Sequence, residues 1–187
     1  MGVADPTNTH LWDGADVFYT PYPLGSVAIP ADASTAFSAD WKQCGVLDGD
    51  FGYKHSRSED KKDFYGWGNI LLRTSRNHFK LTAGFRLLED NPETRALVWP
   101  GSTSSALKVP KPANVVLALE KRDGDIVRRV ITALRAEVEL NADITETEAD
   151  VTGYEMLATI YPTGVGVLWI PQNSDDDESS SSSSSAT

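Results

Sequence analysis

Apolar and polar residues alternate with a two-residue period through much of the chain. In residues 78–87, polar or small residues alternate with Phe79, Leu81, Ala83, Phe85 and Leu87. Successive side chains of a strand point to opposite faces of its sheet, so this period predicts a half-buried antiparallel strand. The same period recurs in residues 134–140 and 151–161. The pattern therefore indicates a mainly β domain.

Turn residues and β-branched runs predict the remaining strands. Residues 16–20 and 41–47 combine β-branched and aromatic residues, which are enriched in strands. Residues 114–120 and 126–133 flank an Asp-Gly pair, a strong hairpin signal because glycine accepts a positive φ. Residues 165–170 predict a last strand that closes the sheet.

One short helix is predicted between the two groups of strands. Asn91 can cap it, Pro92 suits its first position, and Glu93 lies near the positive end of the helix dipole. A second helix, over residues 127–140, is an alternative to strands there, because Leu, Ala, Arg and Glu favour helices. The two-residue period and the β-branched residues favour strands.

A densely charged segment interrupts a predicted long hairpin. Residues 51–57 and 64–74 are its predicted arms, and the insert between them mixes charges of both signs. We predict that this insert contacts a partner through Lys54, His55, Arg57, Glu59, Asp60, Lys61, Lys62 and Asp63. We also predict that the flanking aromatic residues anchor the hairpin to the body, namely Trp41, Phe64 and Trp67. A solvated loop without a partner is the alternative.

Length and composition limit the class of protein. The 187 residues suit one domain, and the net charge of −10 argues against a nucleic-acid-binding protein, which needs clustered Lys and Arg. Cys44 is the sole cysteine, so no intrachain disulfide is possible. No apolar run approaches the ~20 residues of a membrane span, so we predict no membrane partner. We expect an N-terminal arm in residues 1–15, a β domain in residues 16–172 and a disordered acidic, serine-rich tail in residues 173–187.

Motifs for catalysis or metal binding are missing from the sequence. The histidines are scattered without the spacing of metal ligands, at His10, His55 and His78. No nucleophile elbow, Walker A loop or dinucleotide-binding fingerprint is present. We therefore predict a protein that is not an enzyme and has no cofactor or metal. Two alternatives are a carboxylate-based hydrolase and a carbohydrate-binding β-sandwich that uses Trp41, Tyr65 and Trp67.

Several segments, in this order and spacing, resemble a known family. They are Asp-Val-Phe-Tyr-Thr-Pro at 16–21, the aromatic stretch at 37–52, the charged insert followed by Trp-Gly at 67–68, Leu-Leu-Glu-Asp-Asn at 87–91 and Ile-Tyr-Pro at 160–162. Over residues 16–171 the chain resembles the major tail proteins, or tail tube proteins, of long-tailed bacteriophages, especially phages of actinobacteria.

The resemblance implies a fold, a location and partners. It implies an antiparallel β-sandwich or barrel with one short flanking helix and a long hairpin loop. Hexameric rings of such subunits stack into the hollow tube of the virion tail, which is assembled in the host cytoplasm. Double-stranded DNA passes through without specific binding, and the other tail partners are the tape measure, terminator and distal tail proteins. A tail terminator or a head-decoration protein is the alternative within virion proteins.

The resemblance also assigns roles to segments. The inter-ring loop would cover residues 53–65, and residues 91–99 would be the flanking helix. An acidic wall repels DNA phosphates and lets the duplex slide. We therefore predict that the polar side of residues 134–140 faces the lumen, with Glu137 and Glu139, although Arg135 lies on the same side.

Overall fold

A computed structural model describes residues 9–174 of the chain. Within these residues lie nine strands and one helix. In chain order they are β1 Gly14–Pro21, β2 Lys42–Gln43, β3 Lys54–Tyr65, β4 Leu71–Leu87, α1 Pro92–Val98, β5 Ala113–Asp123, β6 Ile126–Thr132, β7 Arg135–Leu140, β8 Tyr154–Tyr161 and β9 Trp169–Asn173. The predicted mainly β fold with one short helix and a long hairpin is confirmed. The helical alternative for residues 127–140 is wrong.

All nine strands belong to one antiparallel sheet that divides along β5. The main path is β2-β1-β5-β7-β8-β4-β3, and β6 and β9 lie off it. β5 pairs with β7 through Ala113, Asn114 and Val115, and with β6 from Ala118 to Asp123. One strand therefore serves both parts of the sheet, as in a β-sandwich whose layers share a strand.

Two buried clusters hold the layers together. The larger cluster joins the inner faces of β4, β7 and β8 to α1 and to one face of β1 and β5, and its fully buried members include Phe85, Leu117 and Met156. The smaller cluster joins the other face of β5 to β6 and to Trp41. Apolar side chains every second residue are the reason that each strand can contribute to such a cluster.

The helix forms as its local sequence predicts. Asn91 caps it, and its side-chain oxygen accepts a hydrogen bond from the Thr94 backbone N–H at 2.7 Å. Pro92 occupies the first turn, where a missing N–H costs no hydrogen bond. Leu97 and Val98 are buried in the larger cluster, so the helix covers one end of the sheet.

The Asn91 cap gives a testable contribution to stability. Asn91→Ala is expected to lower the free energy of unfolding by about 1 kcal/mol, because the Thr94 N–H loses its acceptor. Urea denaturation of the purified protein measures this change. The exposed Asn77→Ala is the matched control, and an equal effect in both variants would contradict the capping role.

The predicted strand over residues 41–47 is mostly wrong. Lys42 and Gln43 pair with β1, the Cys44 N–H donates to the Val17 carbonyl at 2.9 Å, and Leu47 forms an isolated bridge with Leu87. Trp41 turns into the smaller cluster, where its indole N–H donates to the Ala28 carbonyl at 3.1 Å. Gly45 has a φ of 84°, which ends the extended backbone. The extended segment is thus shorter than the β propensity of residues 41–47 predicted.

The structure describes only part of the predicted N-terminal arm and C-terminal tail. The Asp13 N–H donates to the Arg122 carbonyl at 2.9 Å, so residues just before β1 lie against the end of β5. β9 continues to Asn173, one residue past the predicted domain boundary. The remainder of the predicted arm, residues 1–8, and of the predicted tail, residues 175–187, lies outside the described residues.

Candidate functional site

The β3–β4 hairpin projects beyond the rest of the sheet. The two strands pair from Lys54 and Gly84 to Tyr65 and Leu71. β4 also pairs with β8, but only over residues 81–87. Residues 58–80 therefore form a two-stranded ribbon, which at ~3.3 Å per residue extends about 25 Å.

The charged insert is part of this ribbon and not a loop. All twelve residues of β3 are exposed strand residues. The turn lies farther along, where the Gly66 N–H donates to the Ile70 carbonyl at 2.8 Å and Gly68 and Asn69 have positive φ. The predicted loop over residues 53–65 is thus wrong in conformation. Both faces of the ribbon are exposed to solvent, so its sequence has no alternation of apolar and polar residues. Without that alternation, the sequence did not predict a strand in residues 58–63.

Cross-strand polar pairs account for the mixed charges of the insert. Glu59 accepts from Arg76 at 3.3 Å, and the Asp60 carboxylate lies 3.0 Å from the His78 ring nitrogen. Thr74 donates to Asp63 at 2.7 Å. Opposite charges on facing strands stabilise a hairpin. Part of the insert therefore serves the hairpin itself, while its contact with a partner stays a prediction.

Apolar side chains cluster at the end of the ribbon. The exposed ones are Phe64, Tyr65, Trp67, Ile70, Leu71 and Leu72. We call residues 64–72 the hairpin tip. Trp67 is fully exposed, at 102%. Isolated two-stranded hairpins are marginally stable, and contiguous exposed apolar surface marks interaction sites. The tip therefore has the composition of a contact surface.

None of the three predicted anchors holds the hairpin to the body. Trp41 is buried, but it packs in the smaller cluster, away from the ribbon, with its ring tilted against that of Phe37 at 4.9 Å between ring centres. Phe64 and Trp67 are exposed, so neither holds the hairpin to the body. Aromatic residues in β domains are usually buried, and the prediction for Phe64 and Trp67 relied on this general preference. Burial of Trp41 also removes one of the three rings that the carbohydrate-binding alternative needs.

The polar side of β7 faces solvent beside β8. Ala136 and Val138 are fully buried, while Glu139 is exposed. Glu137 accepts a hydrogen bond from the Tyr161 hydroxyl at 2.7 Å, and this bond raises the pKa of Tyr161. The predicted alternation of this strand is therefore confirmed.

The solvent-facing side of β7 mixes both signs of charge. The Arg135 guanidinium lies 3.4 Å from the Glu137 carboxylate and 4.3 Å from the centre of the Tyr161 ring. Glu139 is the more exposed acid of the pair. The face is thus less acidic than the sequence suggested, and the lumenal role of Glu137 and Glu139 stays a prediction.

Reactive side chains do not converge in the described part of the chain. Among residues 9–174, no group of three or more His, Cys, Asp or Glu is placed to hold a metal ion. Cys44 is fully buried, and burial raises the pKa of its thiol. Within the same residues, none of the helices is long and apolar enough to cross a membrane.

Comparisons with known proteins do not assign the chain to a family. No protein-family model matches the chain, and no curated protein matches it at a significant level. The geometry of the hairpin therefore carries the functional argument.

Proposed function

We propose that this chain is the major tail tube subunit of a long-tailed bacteriophage. Its copies form hexameric rings, and the rings stack into the hollow conduit that delivers the genome. The observation that carries the proposal is the projecting β3–β4 ribbon with an apolar tip, because such a tip needs a partner to cover it. The sequence resemblance over residues 16–171 supports the same assignment.

The outer edge of β3 supports association between neighbours in a ring. Within residues 9–174, β3 pairs with β4 alone, so the other side of this twelve-residue strand offers free backbone N–H and C=O groups. A long open edge is a template for pairing with another chain. The protein thus has two surfaces for its own copies, the β3 edge for lateral contacts and the tip for contacts between rings.

The proposal places the protein in the virion tail. Its partners are its own copies and the tape measure, terminator and distal tail proteins, and double-stranded DNA passes through the lumen without specific binding. The solvent-facing side of β7, with Glu139 exposed and Glu137 paired to Arg135, offers no cluster of cations that would hold phosphates. That side is our candidate for the lumen wall.

Electron microscopy of the purified protein tests the proposal. Negative-stain images and sedimentation velocity are recorded over a range of protein concentrations. Long hollow tubes are the expected result. Single closed rings would instead favour a tail terminator, and a protein that stays monomeric at every concentration would contradict the proposal.

The lumenal assignment gives a separate prediction. Glu137→Lys with Glu139→Lys is expected to slow DNA release from assembled virions at least tenfold at low salt, because new cations attract the passing phosphates. Release is followed by fluorescence of a DNA-binding dye. Glu146→Lys with Glu148→Lys, in an exposed segment between β7 and β8, is the matched control. Unchanged release in the first variant would show that this side of β7 lies elsewhere.

A further inference from the structure

A cleft of about 680 Å³ lies at the other end of β3 from the hairpin tip. Residues 10–15, residues 47–49, residues 52–53 and the paired strands β5 and β6 form most of its walls. His55, the second residue of β3, lines the cleft, whereas Tyr65 ends the same strand at the tip. Ten residues of strand, at ~3.3 Å each, separate the two features by about 33 Å.

Cations stacked on an aromatic ring form one wall of the cleft. The Lys121 ammonium lies 4.2 Å from the centre of the Trp12 ring, and the Arg128 guanidinium lies 6.0 Å from it. His10 stacks against Trp12 at 5.0 Å between ring centres. Leu11, 85% exposed, stands at the rim. Apolar side chains complete the lining with Leu47, Leu119 and Val130.

The charges of the cleft favour an uncharged, electron-rich occupant. Burial and the neighbouring Arg128 lower the pKa of Lys121, and burial together with Lys121 lowers the pKa of His55. Carboxylates balance part of this charge. Asp13 and Asp48 line the cleft, Asp123 lies 3.3 Å from His10, and Glu120 is bonded to the lining Arg129 at 2.7 Å. Aromatic faces attract such partly desolvated cations, whereas a further cation is repelled.

We propose that this cleft is the socket for the hairpin tip of a second copy, with Trp67 inserted beside Lys121 and Arg128. The inference rests on the proposed function, because it names the surface that receives the tip. The tip, residues 64–72, contains no charged residue and presents three aromatic rings. A cleft of 680 Å³ is in the range, roughly 300–1,000 Å³, of sites that enclose a drug-sized group. The rings of the tip therefore match the socket in size and in charge.

The positions of tip and socket determine how copies associate. Because the two surfaces differ and lie at opposite ends of one strand, their contact is heterologous and joins copies head to tail. Such a contact leaves a free tip at one end and a free socket at the other, so it propagates as a stack. Contact between two tips would instead form a closed dimer and stop.

Disulfide trapping tests the socket. Ile70→Cys places a thiol in the tip without changing Trp67, and Leu11→Cys places one at the rim of the socket. Equal amounts of the two variants are assembled and oxidised mildly, and the cross-links are identified by mass spectrometry. Native Cys44 is fully buried, and the unaltered protein is the blank. Val109→Cys, 89% exposed and away from the cleft, replaces Leu11→Cys in the control mixture.

We expect the 70–11 cross-link to exceed the 70–109 cross-link at least tenfold. Tubes that form with mainly 70–70 links, or with equal links to positions 11 and 109, would overturn the socket and leave the proposed function standing. Protein that never self-associates would overturn both.

A matched pair of substitutions gives a second measurement. Leu11→Ser and Val165→Ser remove side chains that are 85% and 88% exposed, but only Leu11 lies at the cleft. The first is expected to raise the protein concentration needed for tubes about threefold to tenfold, and the second to leave it unchanged. Equal effects would contradict the socket.

Discussion

Replacing Tyr65, Trp67 and Ile70 together with serine is expected to abolish tube formation while the domain stays folded. All three side chains are more than half exposed, so the folded monomer loses little when they are removed. Substitutions of exposed residues usually change stability by less than about 0.5 kcal/mol. In the stack, by contrast, a buried aromatic anchor contributes about 2 kcal/mol or more, which is roughly thirtyfold in affinity for each contact.

Sedimentation velocity measures the loss of assembly, and thermal unfolding checks the fold. The matched control replaces three equally exposed apolar residues elsewhere, Leu107, Val109 and Val165, with serine. It should still form tubes. If the tip variant assembles at the concentration of the unaltered protein, the tip is not an interface and the observation that carries the proposed function fails.

Arg129→Ala is expected to have the largest effect on stability, about 3–4 kcal/mol, because it breaks a buried ion pair. The Arg129 guanidinium is bonded to the Glu120 carboxylate at 2.7 Å, and the two side chains are 5% and 9% exposed. It also donates to the carbonyls of Asp32 and Thr35, at 3.2 Å and 2.8 Å. One side chain therefore ties the segment before Trp41 to β6. Its removal leaves two carbonyls without this donor and leaves the buried Glu120 carboxylate with Arg122 alone, at 2.8 Å.

Urea denaturation compares this variant with Arg95→Ala. Arg95 is bonded to Asp90 at 2.5 Å, but its side chain is 61% exposed, so that pair should contribute less than about 1 kcal/mol. A further variant, Glu120→Gln with Arg129→Ala, removes the buried negative charge that only Arg122 then balances, and it should recover part of the stability lost in Arg129→Ala. A loss below 1 kcal/mol in Arg129→Ala would show that the pair does not hold the segment in place.

Local patterns predicted most of the elements for identifiable reasons. Residues 81–87 and 135–140 alternate because one face of each strand is buried, and burial imposes the two-residue period, whereas Phe79, predicted on the same buried side, is exposed. Asn91 and Pro92 predicted the helix start because capping depends on neighbouring residues alone. The polar part of the ribbon was not predicted to be a strand. Neither of its faces is buried, so its sequence has no two-residue period.

The candidate site was predicted less well than the fold. The charged insert between aromatic residues predicted a contact in the hairpin that the structure shows projecting from the sheet. The prediction assigned the contact to the charges, whereas the structure exposes Trp67 and its apolar neighbours at the turn. The sequence does not predict the cleft, because Trp12 lies far along the chain from the paired Lys121 and Arg128 and no local motif links them.

The sequence by itself determined the class of the fold, the helix and most of the strands, because these depend on periodicity, capping and turn residues within a short segment. Only the tertiary structure decided which aromatic residues are buried, where the hairpin turns and how the ends of β1, β5 and β6 enclose a cleft. Those outcomes depend on contacts between distant segments, and the free energy of such contacts is a property of the packed chain and not of any stretch within it.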